Sequence, residues 1–182
     1  DSGDVLKFDR LLIATGSRPA SPPIPGMDLP GIHPCWTMDD ARAIMKLATK
    51  GARVLQMGAG FIGCIIMESL AARGVTLSVV EMGDRMVPRM MGPTAGNMIK
   101  RWCETKGVQV FTKTKVEAIE KGSGDAALVV KLSNGKSMDV DLVISATGVK
   151  PAIGFLEKSG ITCLQGVLTD EHLQTNVPGV YA

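Results

Sequence analysis

The stretch VLQMGAGFIGCIIMESLAARGVTLSVVEMGD, residues 54–84, constrains this chain more than any other. Gly58, Gly60 and Gly63 form G-x-G-x-x-G between the apolar run ARVLQM and a helix-length segment that runs to Arg73. Gly74 is expected to cap that helix in the left-handed region, and VTLSVVE reads as a second buried strand. The whole is a βαβ unit of about 30 residues.

In that context the glycines have separate physical jobs. The first permits a tight turn, the second lets the backbone approach a pyrophosphate, and the third lets helix and strand pack closely. The helix start adds free N–H groups and the positive end of a dipole. Glu81 closes the second strand at the spacing of a carboxylate that accepts hydrogen bonds from an adenosine ribose, and it would repel a 2′-phosphate, so NAD(H) is favoured over NADP(H). Arg85 and Arg89 leave a second option open: either they fold back onto a phosphate, or they are solvated charges in an exposed turn, MGDRMVPR.

Composition narrows the remaining classes. Lys plus Arg number 20 against 18 Asp plus Glu, so no strong field draws the chain to nucleic acid or an anionic membrane. No apolar run approaches the ~18 residues of a membrane span, and the start, DSGDVLKFDR, lacks the apolar centre of a signal peptide. A soluble, cytoplasmic protein is expected. Cys35, Cys64, Cys103 and Cys163 are widely spaced and read as reduced, mostly buried thiols, with no metal site expected. His33 and His172 have no nearby nucleophile and base partner, and no catalytic side chain is assigned. Chemistry, where it occurs, belongs to a cofactor that the protein orients.

The rest of the chain alternates in the same way. Residues 4–14 read as a strand or hairpin arm, and TGSRPASPPIPG is too rich in Pro and Gly for helix. Thr37 is placed as an N-cap with Asp39 and Asp40 in the first turn, and Gly51 as the stop of that helix. Pro93 opens a third helix, whose apolar stripe is read as Met98, Ile99, Trp102 and Cys103, and Gly107 ends it before the strand VQVF. KVEAIEK, ALVVKLS and KSMDV, joined by GSGD and Asn134-Gly135 turns, are expected as an antiparallel meander. DLVISATGVKP then resumes a buried strand. It echoes RLLIATGSRP at residues 10–19, each ending in Ala-Thr-Gly, a basic residue and Pro.

The order ATGSRP, PGM, GAGFIG, VVE, DLVISATGVKPA and GVLTDEHLQTNVPGVYA resembles the flavoprotein oxidoreductases of the pyridine nucleotide–disulfide reductase superfamily over essentially the whole chain. The arrangement is most similar to the NADH-dependent ferredoxin, rubredoxin and nitrite reductase branch and the related NADH oxidases. The resemblance implies a Rossmann-like α/β fold with a small antiparallel β-meander insertion, in which residues 31–149 bind NAD(H). Residues 1–30 and 150–182 would be the flanking and return segments of an FAD domain. It implies further that the FAD-binding glycine loop, the flavin-contacting Gly-Asp and a dimerisation domain belong to an intact parent beyond this chain. NADH would pass hydride to FAD and electrons onward to ferredoxin, rubredoxin, a nitrite reductase centre or oxygen. By the same resemblance Gly58, Ala59, Gly60, Phe61, Ile62 and Gly63 surround the pyrophosphate, Glu81 holds the ribose, and Gly148 lies against the nicotinamide half. A non-catalytic NAD(H)-sensing module and a plain NAD-dependent dehydrogenase are the alternatives.

One position departs from that pattern. The family usually carries an acidic residue after G-x-G-x-x-G-x, near the nicotinamide, and this chain has Ile65. A carboxylate there could orient the ring or its carboxamide, whereas isoleucine can only pack. Helical spacing places Ile62, Ile65, Ile66 and Leu70 on one stripe, expected to face the sheet.

Overall fold

The computed structural model describes residues 3–182. In chain order the elements are β1 (Leu11–Leu12), β2 (Ser17–Pro19), β3 (Ile32–Pro34), α1 (Met38–Leu47), β4 (Arg53–Met57), α2 (Phe61–Ala72), β5 (Thr76–Val80), α3 (Pro93–Thr105) and β6 (Gln109–Phe111). They continue with β7 (Val116–Lys121), β8 (Leu128–Leu132), β9 (Ser137–Val140), β10 (Leu142–Ser145), β11 (Val149–Pro151), a 3₁₀ turn (Gly154–Leu156) and β12 (Val180–Tyr181). Two compact units result. One is Pro19–Gly148; the other joins the residues up to Arg18 with Val149–Ala182.

The larger unit is built on a parallel sheet in the order β3-β10-β4-β5-β6. Val54, Leu77, Val79, Leu142 and Ile144 pack on one face with Ile44 and Ala48 of α1, Met67 and Leu70 of α2 and Cys103 of α3. Leu55, Met57, Val80 and Val143 pack on the other face with Val116, Ile119, Leu128, Val130, Leu132 and Val140 of the antiparallel β7-β8-β9 meander. A sheet covered on both faces favours strands that are apolar at nearly every position, which is why ARVLQM and DLVIS carry no regular alternation. Truncating a fully buried side chain such as Leu55 or Leu142 to Ala removes about 2–5 kcal/mol. Residues 19–30 belong with this unit: Ile24, Met27 and Leu29 pack against the meander cluster, and the Ile119 N–H donates to the Pro25 carbonyl.

Several expectations hold locally. Thr37 and Asp40 form a reciprocal capping box on α1, Pro93 sits in the first turn of α3, and Gly74 and Gly107 adopt the left-handed conformation after their helices. Others are corrected. Of residues 4–14, only Leu11 and Leu12 form a strand, pairing in parallel with Val180 and Tyr181. Helix α1 ends at Leu47, before Gly51. On α3, Cys103 is buried and Ile99 packs on the core, but Met98 and Trp102 are exposed, on the arc of the helix turned away from the sheet. The DLVISATGVKP strand breaks at Ala146: Leu142–Ser145 is buried, whereas Val149–Pro151 is exposed and pairs instead with Ser17–Pro19. The two segments that echo each other in sequence therefore pair through the residues just after each Ala-Thr-Gly.

The smaller unit is short strands and turns. Thr15 Oγ1 donates to the Ala152 carbonyl, and Ala152 N–H returns to the Gly16 carbonyl. Asp170 Oδ1 accepts from the N–H groups of His172 and Gln174, which fixes the turn between them. No helix among the described residues is long and apolar enough to cross a membrane.

Candidate functional site

The loop between β4 and α2 is held by its own backbone and by three side chains beneath it. Gly58 N–H donates to the Val80 carbonyl at 2.8 Å, and Val87 N–H donates to the Ala59 carbonyl at 2.8 Å. Gln56 Nε2 donates to the Gly58 carbonyl at 2.8 Å, and the Cys64 thiol points to the Ala59 carbonyl at 3.6 Å. Glu81 completes the set: Oε2 accepts the Ala59 N–H at 2.8 Å and Oε1 accepts the Gly83 N–H at 2.7 Å. Ala59 is fully buried with both backbone polar atoms engaged. It serves to anchor the loop.

The three glycines divide by cause. Gly58 has φ +95°, and a Cβ on it would stand 2.5 Å from the Ala146 carbonyl oxygen, so the turn and the neighbouring strand end both demand glycine. A Cβ on Gly63 would meet the Gly58 carbonyl oxygen at 2.5 Å and Gln56 Nε2 at 2.7 Å. Gly60 is different. As N-cap of α2 it has φ −73° and ψ −172°, which any residue adopts, and nothing stands within 4 Å of where its Cβ would be. Neither backbone strain nor packing accounts for that glycine.

The helix start above it is open. No side chain caps α2, and its first turn carries no acid, whereas the N-terminus of α1 is closed by Thr37 and Asp40. Uncapped amides at the positive end of a helix dipole suit an anion. Phe61 and Ile62 stand in this first turn with exposed side chains.

The segment after β5 was expected to be an exposed turn, and the structure corrects this in part. Met86 and Val87 are buried, and Val87 is a β-branched residue at φ +49°, fixed by its bond to the loop. Arg85 is committed, with Nε on the Met91 carbonyl at 2.9 Å and Nη1 on Asp84 at 2.7 Å. Arg89 alone of the pair presents an exposed side chain. Gly148 lies at the other side of the Ala146 strand end with φ +109°, and its carbonyl accepts the Ala20 N–H at 2.9 Å.

Ile65 is not on the sheet-facing stripe. The buried positions of α2 are Gly63, Met67 and Leu70, with Cys64 and Ile66 packed partly against the core, and Ile65 is 57% exposed. Its side chain points away from the sheet, which leaves the position free of packing demands. Gln56, Cys64 and Val87 were not foreseen as loop supports. Only Gln56 carried a signal, as the polar residue inside an otherwise apolar strand. Burial pushes the Cys64 thiol up to about 11, so at neutral pH it is a protonated donor and no nucleophile.

The chain matches the family model for pyridine nucleotide-disulphide oxidoreductases over residues 1–182. It is 36% identical over 182 residues to the NADH oxidase of Methanocaldococcus jannaschii, covering 97% of this chain and 40% of that protein. It is 34% identical over 180 residues to the NADH-dependent phenylglyoxylate dehydrogenase subunit epsilon of Aromatoleum evansii, covering 99% of this chain and 42% of that protein. Among solved structures, an NAD-dependent persulfide reductase from A. fulgidus superposes with a TM-score of 0.89 at 34% identity, over 98% of this chain and 33% of that one. The chain thus spans less than half the length of these relatives.

Proposed function

This chain belongs to the pyridine nucleotide-disulphide oxidoreductase family, and from that premise we propose that Pro19–Gly148 is the NAD(H)-binding domain of an FAD-dependent oxidoreductase. The observation that carries the reading is Gly60. The protein itself gives no reason for glycine there, and a pyrophosphate drawn against the loop backbone supplies one. The open amides of α2 would receive the phosphates, with Phe61 and Ile62 flanking them. Glu81 uses one lone pair of each oxygen on the loop and keeps the others for the ribose hydroxyls. Arg85 is tied down by Met91 and Asp84, which removes one cation that could have favoured a 2′-phosphate, and the NADH named in the relatives above points the same way.

A domain start at Pro19, earlier than residue 31, is supported by the packing of Ile24, Met27 and Leu29 with the meander. Residues up to Arg18 and from Val149 would belong with the FAD domain of the intact protein. When bound, the flavin would accept hydride from the nicotinamide and pass electrons to a redox protein or small acceptor. This chain's own part is to bind and orient the dinucleotide, with Gly148 beside its nicotinamide half. A cytoplasmic setting fits four free thiols.

A second reading, an NAD(H)-sensing module, is favoured by one observation, the exposed Ile65 where the resemblance places an acid. Rapid mixing of the intact protein with NADH separates the two. We expect the flavin absorbance to bleach in a single turnover; a protein that binds NADH and keeps its flavin oxidised is a sensor.

A further inference from the structure

Strand β4 runs through the centre of the sheet, and Gln56 within it is wholly inaccessible to solvent. Its partners in register are Ile144 on one side and Val79 on the other, both fully buried and apolar. A glutamine here is costly: Oε1 is buried and has no hydrogen-bond partner. Leucine or methionine would fill the same space without bringing a polar side chain into the core, so core filling does not explain the residue. The other end of the amide does. The atom 2.8 Å from the Gly58 carbonyl oxygen must be the donor Nε2, because the reverse orientation would oppose two oxygens. No backbone N–H among the described residues is seen to take that carbonyl, and Gly63 lacks the Cβ that would collide with both atoms of the bond.

We infer that Gln56 is a positioning residue: from inside the core it fixes the Gly58 carbonyl, and with it the approach of the loop to Gly60 and the open amides that receive a dinucleotide. This deepens, and rests on, the NAD(H) reading above. The side chain touches no ligand, and it acts by removing freedom from the first peptide of the loop. An amide buried at an energetic cost, with one end aimed at the glycine turn, is what a preorganised phosphate cradle requires of its support. The third glycine of the motif also gains a local meaning. It leaves room for the amide as well as for close helix packing.

The test is Gln56→Met in the intact protein, with NADH affinity measured by calorimetric titration beside thermal unfolding. The substitution keeps volume and exchanges one unpaired oxygen, Gln56 Oε1, for another, the Gly58 carbonyl. The melting temperature is therefore expected to stay within about 2 °C of wild type. NADH Kd is expected to rise roughly three- to tenfold, the worth of one hydrogen bond. Unchanged affinity in Gln56→Met, with wild type binding normally, overturns the role of Gln56 alone. Absence of NADH binding in wild type overturns the NAD(H) reading and this inference with it. Should the variant fail to fold, ¹⁵N NMR of the wild-type Gln56 side chain decides. One amide proton exchanging slowly and shifting on NADH addition supports the role, and an amide that exchanges as a free one overturns it.

Discussion

Glu81 and Ala59 are joined by a 2.8 Å hydrogen bond from the buried Ala59 N–H to Glu81 Oε2, so the carboxylate at the end of β5 holds the glycine loop at the end of β4. The same carboxylate fixes Gly83 through Oε1. The ribose-binding role proposed for Glu81 is thereby tied to loop geometry: the group that would select the nucleotide also shapes the cradle. Glu81→Ala should weaken NADH binding about tenfold or more, change NADPH binding much less, and cost about 1–3 kcal/mol of stability by orphaning the Ala59 N–H. Parallel titrations with the two nucleotides and a denaturation curve check this. An unchanged NADH to NADPH preference would speak against the ribose contact.

Ile65 stands exposed on α2, outside the core cluster. Ile65→Glu should therefore fold with a stability change within about 0.5 kcal/mol, the range of surface substitutions. If a carboxylate at this place orients the nicotinamide, the variant should reduce the flavin of the intact protein faster than wild type at saturating NADH. Stopped-flow absorbance reads the rate. A slower or equal rate would show that the isoleucine is no handicap.

Arg53 and Asp141 clasp the other end of the sheet. Nη2 meets Oδ1 at 2.7 Å, Nε meets Oδ2 at 3.1 Å, and the Arg53 N–H adds a third bond to Oδ2 at 2.8 Å. The Arg53 guanidinium holds the Asp141 carboxyl below its ordinary value of 3.8. A carboxyl depressed in the folded state contributes stability that is present above 3.8 and is lost as pH falls through the lower folded value. Asp141→Asn should lower the melting temperature by about 2 °C at pH 7, a modest effect because both side chains are partly exposed, and by progressively less as the pH is taken below 3.8. Thermal scans across pH check the convergence of the two proteins.

The βαβ unit, the meander and the caps were legible because each rests on local rules: glycine at required turns, Thr37 before an acidic first turn, Asn134-Gly135 between alternating strands. The glycine loop was legible for the same reason. Errors arose where periodicity had to stand in for a partner surface. Ile65 shares helical spacing with Leu70, yet the sheet lies under Gly63 and Met67, and spacing alone does not say which arc of a largely apolar helix is covered. Met98 and Trp102 misled in the same way. The charges of the turn after β5 suggest an exposed segment, while Met86 and Val87 inside it are buried and Val87 bonds to the loop. Gln56 stands out as a polar residue within the run VLQM, but that its amide meets the Gly58 carbonyl depends on atoms brought together by a close turn, which no pattern of residue types specifies.

If Gly60 is glycine for the sake of a bound dinucleotide, Gly60→Ser should separate binding from folding. Serine is a favoured N-cap, and its Cβ meets no neighbouring atom, so the variant should melt at or up to about 2 °C above wild type. Its side chain would occupy the approach to the loop and cap the open amides. A calorimetric NADH titration of Gly60→Ser beside wild type should show affinity falling by roughly thirtyfold or more while the fold is intact. Wild-type NADH affinity in Gly60→Ser would mean that no dinucleotide lies against this glycine.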